Sequence, residues 1–201
     1  AFAVYVGQQL DITKYSIDAE AVRKANDRVA LLTPIAKAYL TDKALDSSLE
    51  AQMVFGGHGY IKEHGMEQIV RDTRIACLYE GTTEIQALDL LGRKVLQTKG
   101  ALLRDFTKII YDFTQEQANN AELQELIGTL ASLNKEWGQL TNRIGERASQ
   151  NPEEVGAAAV DYLFFAGYVT LAYLWARMAV VAQQQLAQGT SEVEFYQAKI
   201  T

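Results

Sequence analysis

Two short segments of this 201-residue chain hold residues able to do chemistry that a plain helix surface does not call for. Gly56-Gly57-His58-Gly59-Tyr60 is followed downstream by Tyr79-Glu80-Gly81-Thr82-Thr83-Glu84-Ile85-Gln86. Glu80 falls at the break between two predicted helices, with apolar Leu78 and Tyr79 before it. A carboxylate so placed can project into a pocket, where lost hydration raises its pKa and suits it to proton transfer near neutrality. The other reading is a solvated carboxylate before a turn, and residue types alone leave both open. The glycines lack the strand–turn–helix setting of a dinucleotide-binding fingerprint. They either present backbone N–H groups to a phosphate or form an ordinary turn between helices.

The remaining reactive side chains read as structural. His58 and His64 have the wrong spacing for two ligands on one helix face, and no acid or thiol cluster completes a metal site. Cys77 has no cationic neighbour in sequence and is expected to be a small buried hydrophobe. Arg71, Asp72 and Arg74 are expected on a helix surface or in ion pairs between domains. Nothing near Ser47 or Ser48 supplies the base a serine nucleophile needs, so these are expected to cap a helix.

The elements that must position these residues read as helices throughout. Pro and Gly are scarce (2 and 14), Ala, Leu, Gln and Glu abundant, and alternating β-branched runs are missing, so an all-α protein is expected. From Asp18 to Lys43, Val22, Val29, Leu32, Ile35, Ala38 and Leu40 keep near-helical spacing, with Pro34 predicting a kink or break near Leu32-Thr33. Ser47 and Glu50 read as a capping box for a helix running into Phe55, which the glycine run then ends. A helix over about Met66–Leu78 follows. Thr82 or Thr83, with Gln86, caps the next one, which carries Ile85, Leu88, Leu91 and Val95. Past Gly100, Leu102, Phe106, Ile109, Ile110 and Phe113 mark another. The stripe Leu123, Leu126, Ile127, Leu130, Leu133, Trp137, Leu140 and Ile144 reads as core. Asn151-Pro152-Glu153-Glu154 is a helix start. The uncharged run Tyr162–Ala176 behind it falls short of the roughly 20 residues a bilayer needs, so burial at the centre of a bundle is expected, with no stable membrane insertion. The seam between two helical parts is placed at Thr98-Lys99-Gly100.

Composition narrows the class. Lys+Arg 19 against Asp+Glu 25 gives a net charge of −6, without the positive field that nucleic acid or anionic lipid selects for. Hydrophobic residues make up 48%, too many for a disordered chain. A single cysteine excludes an internal disulfide framework and points to a reducing, cytoplasmic setting. Ala1–Val6 is too short and lacks the basic flank of a signal peptide. It reads as the middle of a helix, and Val193–Thr201 stops without a cap, so the expectation is a piece of a longer polypeptide.

Taken together, Gln52-Met53-Val54-Phe55-Gly56-Gly57-His58-Gly59-Tyr60, Met66-Glu67-Gln68-Ile69-Val70-Arg71-Asp72-Thr73-Arg74-Ile75 and Tyr79-Glu80-Gly81-Thr82 resemble the C-terminal helical domain of flavin-dependent acyl-CoA dehydrogenases. Order, spacing and the Arg-Asp pair match over about residues 45–96, and the helices before them are similar more loosely. Ile85-Gln86-Ala87-Leu88-Asp89-Leu90-Leu91-Gly92-Arg93-Lys94 resembles a longer-chained subgroup, often described as 3-methylmercaptopropionyl-CoA dehydrogenase-like, and residues 99–201 look like its C-terminal helical extension. The resemblance implies an up-and-down helical bundle over 1–98 and a second helical segment over 99–201.

It also implies roles. Glu80 matches the base that removes the α-proton of an acyl-CoA thioester while a β-hydride passes to flavin. The Glu80 backbone N–H matches a donor to the thioester carbonyl, and Gly81 leaves room for the acyl chain. Thr82 and Glu84 match contacts to the adenosine of FAD, and Met53, Val54, Phe55, Gly56 and Gly57 match a segment reaching the FAD of a neighbouring subunit. The family usually has Gln where Met53 stands and often Gln where Glu84 stands, so an amide donor is replaced by a thioether and by a negative charge, with Gln52 the neighbouring amide. The implied partners are electron-transferring flavoprotein and further copies of the chain, as a homodimer or dimer of dimers. Because the family binds most of its flavin and substrate with an N-terminal helical domain and a middle β-domain, residues 1–201 alone are expected neither to hold FAD firmly nor to turn over. An acyl-CoA oxidase shares the same base. A non-catalytic assembly module is the rival from another class, to which the apolar 162–176 helix and the 123–144 stripe are suited.

Overall fold

The computed structural model describes residues 1–200, which form helices and turns with no β-strand among them. Helix α1 (Phe2–Tyr15) turns at Ser16 into α2 (Ala19–Val54). Asp18 starts α2 by accepting from the amides of Glu20 and Ala21 at 2.9 and 3.3 Å. With 36 residues α2 is the longest element, and it forms the spine of the molecule. The chain then makes a short helix α3 (Gly57–Tyr60), a 3₁₀ turn at Lys62–His64, and α4 (Met66–Leu78). Helix α5 (Thr83–Leu88) widens into a π-helical segment, Asp89–Leu96. After the turn at Lys99 and Gly100, both with positive φ, come α6 (Ala101–Glu116), α7 (Gln124–Gln150), α8 (Glu153–Ala187) and a final short α9 (Val193–Gln197).

Several local signals are overruled inside α2. Pro34 neither ends nor splits the helix, which runs unbroken through Leu32-Thr33. Pro34 is buried beside Leu31, Leu32 and Ile35, and that burial outweighs the roughly 3 kcal/mol a helical proline costs. Ser47 and Glu50 make no capping box, because no helix starts there. Ser47 and Ser48 donate instead to the carbonyls of Lys43 and Leu45, each at 2.8 Å. Gly56, at φ +58°, follows the end of the helix as expected.

Downstream, the stripe after Thr82 departs in part from its expected face. Ile85 and Leu88 are exposed, while Leu90, Leu91 and Val95 are buried. Leu91 and Val95 keep the expected inward position, and Leu90 joins them where the helix widens to i→i+5 hydrogen bonds. Asn151 does cap α8, its side-chain oxygen accepting from the Glu153 amide at 3.2 Å.

One hydrophobic core joins both halves of the chain. It gathers Leu31, Leu32, Ile35, Ala38 and Tyr39 of α2 with Leu90 and Leu91, then Phe106 and Ile110 of α6, Trp137 of α7 and Leu163, Ala166 and Val169 of α8. The 123–144 stripe is core, with Leu123, Ile127, Leu130, Trp137 and Ile144 buried and Leu126, Leu133 and Leu140 packed against them. By length and composition alone α8 is apolar enough to cross a membrane, the one such helix among the described residues. Here it packs against α2, α5 and α7, while Tyr168, Trp175 and Val181 remain exposed.

Candidate functional site

The stretch from Cys77 to Gln86 is held by three side chains, one of its own and two that reach it from α2. Helix α4 stops at Leu78, and the chain reverses through Glu80 at φ +57° and Gly81 at φ +91°. A non-glycine residue in the left-handed region costs roughly 1–2 kcal/mol, so the surrounding structure must hold Glu80 there. The first hold is Gln86, whose amide donates to the Glu80 carbonyl at 2.8 Å. The second is Lys37 of α2, whose ammonium donates to the carbonyls of Gly81 and Cys77. The third is Asp42, also on α2, which accepts from the Thr83 hydroxyl at 2.9 Å. Cys77 is buried, as expected, and its thiol faces the carbonyls of Thr41 and Thr73. Gly81 is favoured by its positive φ, and a Cβ there would also crowd the Gln86 amide nitrogen at 3.1 Å.

The Glu80 side chain is exposed, the solvated of the two readings that the sequence left open, and the described residues do not close a pocket around it. Its backbone amide finds no acceptor among the described residues and is an available donor. Thr82 begins α5 without the expected cap, and Gln86 is spent on Glu80 rather than on a capping box. The Thr82 hydroxyl lies by Glu84 instead and helps to hold its carboxyl below the usual carboxylate range. Thr82 and Glu84 thus form an anionic, hydroxyl-bearing pair at the start of α5.

The glycine segment lies elsewhere. Met53 and Val54 are 76% and 86% exposed at the end of α2, and Phe55 is half exposed. A Cβ at Gly56 or Gly57 would meet nothing within 4 Å, whereas one at Gly59 would stand 2.4 Å from the Gln52 carbonyl oxygen. Gly59 is therefore the glycine that close packing requires, and Gly56 the one its φ requires. The Gln52 amide donates to the Gly59 carbonyl at 3.1 Å, so it holds α3 and is not free to replace an amide at position 53. The two groups are anchored about 16 Å apart along α2, at Asp42 and at Met53. The chain itself does not gather them into one pocket. Arg71, Asp72 and Arg74 are exposed on α4, and His58 and His64 stack edge to face at 4.9 Å.

Lys37 is the site residue that sequence reading missed. The available signal was a single charge within the otherwise core-facing run Leu31–Leu40.

Comparison with known proteins places both halves. Residues 9–96 match the family described as Acyl-CoA dehydrogenase, C-terminal domain, and residues 105–201 match Acetyl-CoA dehydrogenase C-terminal like. The chain is similar to 3-methylmercaptopropionyl-CoA dehydrogenase of Ruegeria pomeroyi, with 33% identity over all of this chain and 34% of the relative. It is similar to the broad-specificity linear acyl-CoA dehydrogenase FadE5 of Mycobacterium tuberculosis, with 30% identity over 92% of this chain and 31% of the relative. A butyryl-CoA dehydrogenase of Syntrophomonas wolfei is 29% identical over 94% of this chain and 32% of its own length. The chain thus spans about a third of the length of these relatives.

Proposed function

Since the chain carries C-terminal helical domains of the acyl-CoA dehydrogenase family, we propose that it supplies the catalytic base of an FAD-dependent acyl-CoA dehydrogenase that introduces an α,β double bond into an acyl-CoA. The observation that carries this reading is the Glu80 turn, an exposed carboxylate fixed in a costly backbone conformation by side chains from α2 and α5. Fixed geometry of this kind is what a proton-abstracting group needs.

In the proposed reaction the Glu80 carboxylate takes the α-proton of the thioester. The free Glu80 amide donates to the thioester carbonyl and stabilises the charge that develops there. Gly81 presents no side chain to the acyl group. FAD, when bound, supplies the acceptor for the hydride equivalent that leaves the β-carbon. The residues present fit its adenosine end better than its phosphates. An anionic Glu84 beside Thr82 accepts hydrogen bonds from ribose hydroxyls or an adenine amine and repels a pyrophosphate. Met53, Val54 and Phe55 offer an exposed apolar shelf beside Gly56 and Gly57.

The same proposal has residues 1–98 and 99–201 as two helical parts of one longer, cytoplasmic, homo-oligomeric enzyme, with electron-transferring flavoprotein as the acceptor. On this reading residues 1–201 alone do not turn over.

The test is an anaerobic spectral titration of the full-length holoenzyme with acyl-CoAs of graded chain length, beside Glu80→Gln. Flavin bleaching by some thioester, with a variant that binds thioester and does not bleach, is the expected result. A variant that bleaches at the wild-type rate removes Glu80 from the chemistry. Rapid reoxidation of the bleached enzyme by O₂ assigns an oxidase, and a protein that takes up no FAD assigns the chain to assembly.

A further inference from the structure

Of the three side chains that hold the Glu80 turn, Lys37 is the one that grips it on both sides of Glu80. Helix α4 ends at Leu78, which leaves carbonyls of its last turn without helical partners. The Lys37 ammonium, half-buried on α2, donates to one of them, that of Cys77, at 3.3 Å. It donates also to the Gly81 carbonyl, on the far side of Glu80. One cation therefore bridges the residues that enter and leave the turn. None of the ion pairs among the described residues includes Lys37, so its charge is directed at these two oxygens. A cation at a helix C-terminus is also favoured by the peptide dipoles. Thr41, one turn further along α2, accepts from the Cys77 thiol, and its own hydroxyl donates to the Lys37 carbonyl at 2.8 Å. The Lys37–Thr41 face is thus a seat for the Cys77–Gly81 segment.

We infer that Lys37 is a positioning residue for proton abstraction: it clamps the Cys77 and Gly81 carbonyls, fixing where the Glu80 carboxylate and the Glu80 amide stand relative to the thioester. This rests on the reading of Glu80 as the base. Removing the clamp leaves the carboxylate in place chemically and displaces it in space. A misplacement of about 1 Å in a reacting group costs on the order of 10²-fold in rate.

The test uses the full-length holoenzyme, its Lys37→Met and Lys37→Gln variants, and Glu80→Gln. The readout is exchange of the α-proton of a 3-thia-acyl-CoA into D₂O, followed by NMR. That thioester carries sulfur in place of the β-carbon and has no hydride to transfer, so exchange reports the proton step alone. Flavin content, kcat and KM are measured beside it. The expected result is exchange and kcat falling together, by about 10²-fold, in a folded Lys37 variant with wild-type flavin content and little change in KM. Wild-type exchange in either folded variant overturns the proposal, as does a loss confined to KM or to flavin content. Failure of both variants to fold assigns Lys37 to the stability of the fold, and overturns it too. If Glu80→Gln exchanges like the wild type, the reading of Glu80 as base is what fails. If Glu80→Gln is inert while Lys37→Met exchanges normally, only the positioning role is lost.

Discussion

Replacing Gly167 by Ala is expected to weaken the fold, although alanine is the better helix former. Gly167 lies within α8, where Ala over Gly gains about 1 kcal/mol in an open helix. Here a Cβ would stand 2.2 Å from Cδ2, 2.7 Å from Cγ and 2.8 Å from Cε2 of Tyr39. The Tyr39 ring of α2 lies against the backbone of α8 at Gly167, and ordinary contact with a Cβ would require one of them to retreat by about 1.2 Å. The ring has nowhere to go. Tyr39 is 3% exposed, with the rings of Phe164 and Tyr168 at 5.9 and 5.3 Å. Overpacking of this kind costs about 1–3 kcal/mol, and the clash with two rigid partners belongs at or above the top of that range. The net expectation is a destabilisation of about 2 kcal/mol or more, or several degrees in Tm at roughly 2–4 °C per kcal/mol. Urea unfolding followed by circular dichroism reads it as a lower midpoint at constant slope. The decisive comparison is the same substitution made in a Tyr39→Ala background. With the ring gone the clash is gone, and Gly167→Ala should raise the midpoint by up to about 1 kcal/mol. A midpoint that rises in the wild-type background, or shifts equally in both, refutes the reasoning.

Two further substitutions test the turn and the buried polar contacts. Glu80→Gly removes the left-handed penalty while adding freedom to the unfolded chain, so stability should hold or rise by up to about 1 kcal/mol. Exchange of the thioester α-proton should meanwhile fall by at least about 10²-fold, and a clear loss of stability would show that φ +57° carries no strain. Tyr162→Phe removes the 2.7 Å hydrogen bond to Thr141 in the core and should cost about 1 kcal/mol near neutral pH. Burial pushes Tyr162 from 10.0 up to about 12. Its folded value lies above its unfolded one, so the stability it protects is complete below pH 10.0 and is lost as pH rises towards about 12. The variant should therefore lose about 2–3 kcal/mol less than the wild type across that window. Tyr5, Tyr39 and Tyr173 are also raised by burial and keep an alkaline limb in both proteins, and superimposable limbs would refute the assignment.

What was legible in the sequence was whatever local chemistry decides. Helix α4 runs from Met66 to Leu78 as expected, because Gly65 at φ +75° precedes it and the Glu80-Gly81 reversal follows closely. The 123–144 stripe and the apolar α8 were legible because their periodicity is also their burial. Glu80 was legible as a residue at a break, and the choice between a pocket and solvent was left open, since exposure depends on what else covers the turn. The errors fall where tertiary packing outweighs local preference. Pro34 and Ser47 carry strong stop and start signals, but the buried face of α2 is continuous through both. Leu91 and Val95 of the expected stripe are buried, while Ile85 and Leu88 are exposed and Leu90 turns inward where the helix widens, a change of face that no 3.6-residue pattern can anticipate. Lys37 was missed because its partners are backbone carbonyls forty and more residues away, which leave no mark on its own neighbourhood.

The shared core bears on what the second helical part is for. An assembly module appended at Lys99 would have its own core and leave the first part intact when removed. The contacts run otherwise. Leu31, Leu32, Ile35, Ala38 and Tyr39, the inward face of α2, belong to one cluster with Phe106 and Ile110 of α6 and Leu163, Ala166 and Val169 of α8. Tyr39 meets α8 at Gly167 on one side of α2, and two residues earlier Lys37 meets the Glu80 turn. Side chains two apart on a helix diverge by about 200°, so the helix is held between α8 and the turn it supports. Each buried Leu, Ile, Val or Phe side chain among them contributes about 1.5–3 kcal/mol when fully removed from water, a total that several lost together would take out of any domain's margin. Helices α6 to α8 therefore act on the candidate site from behind, by fixing the line of α2 and with it the height at which Lys37 holds Glu80.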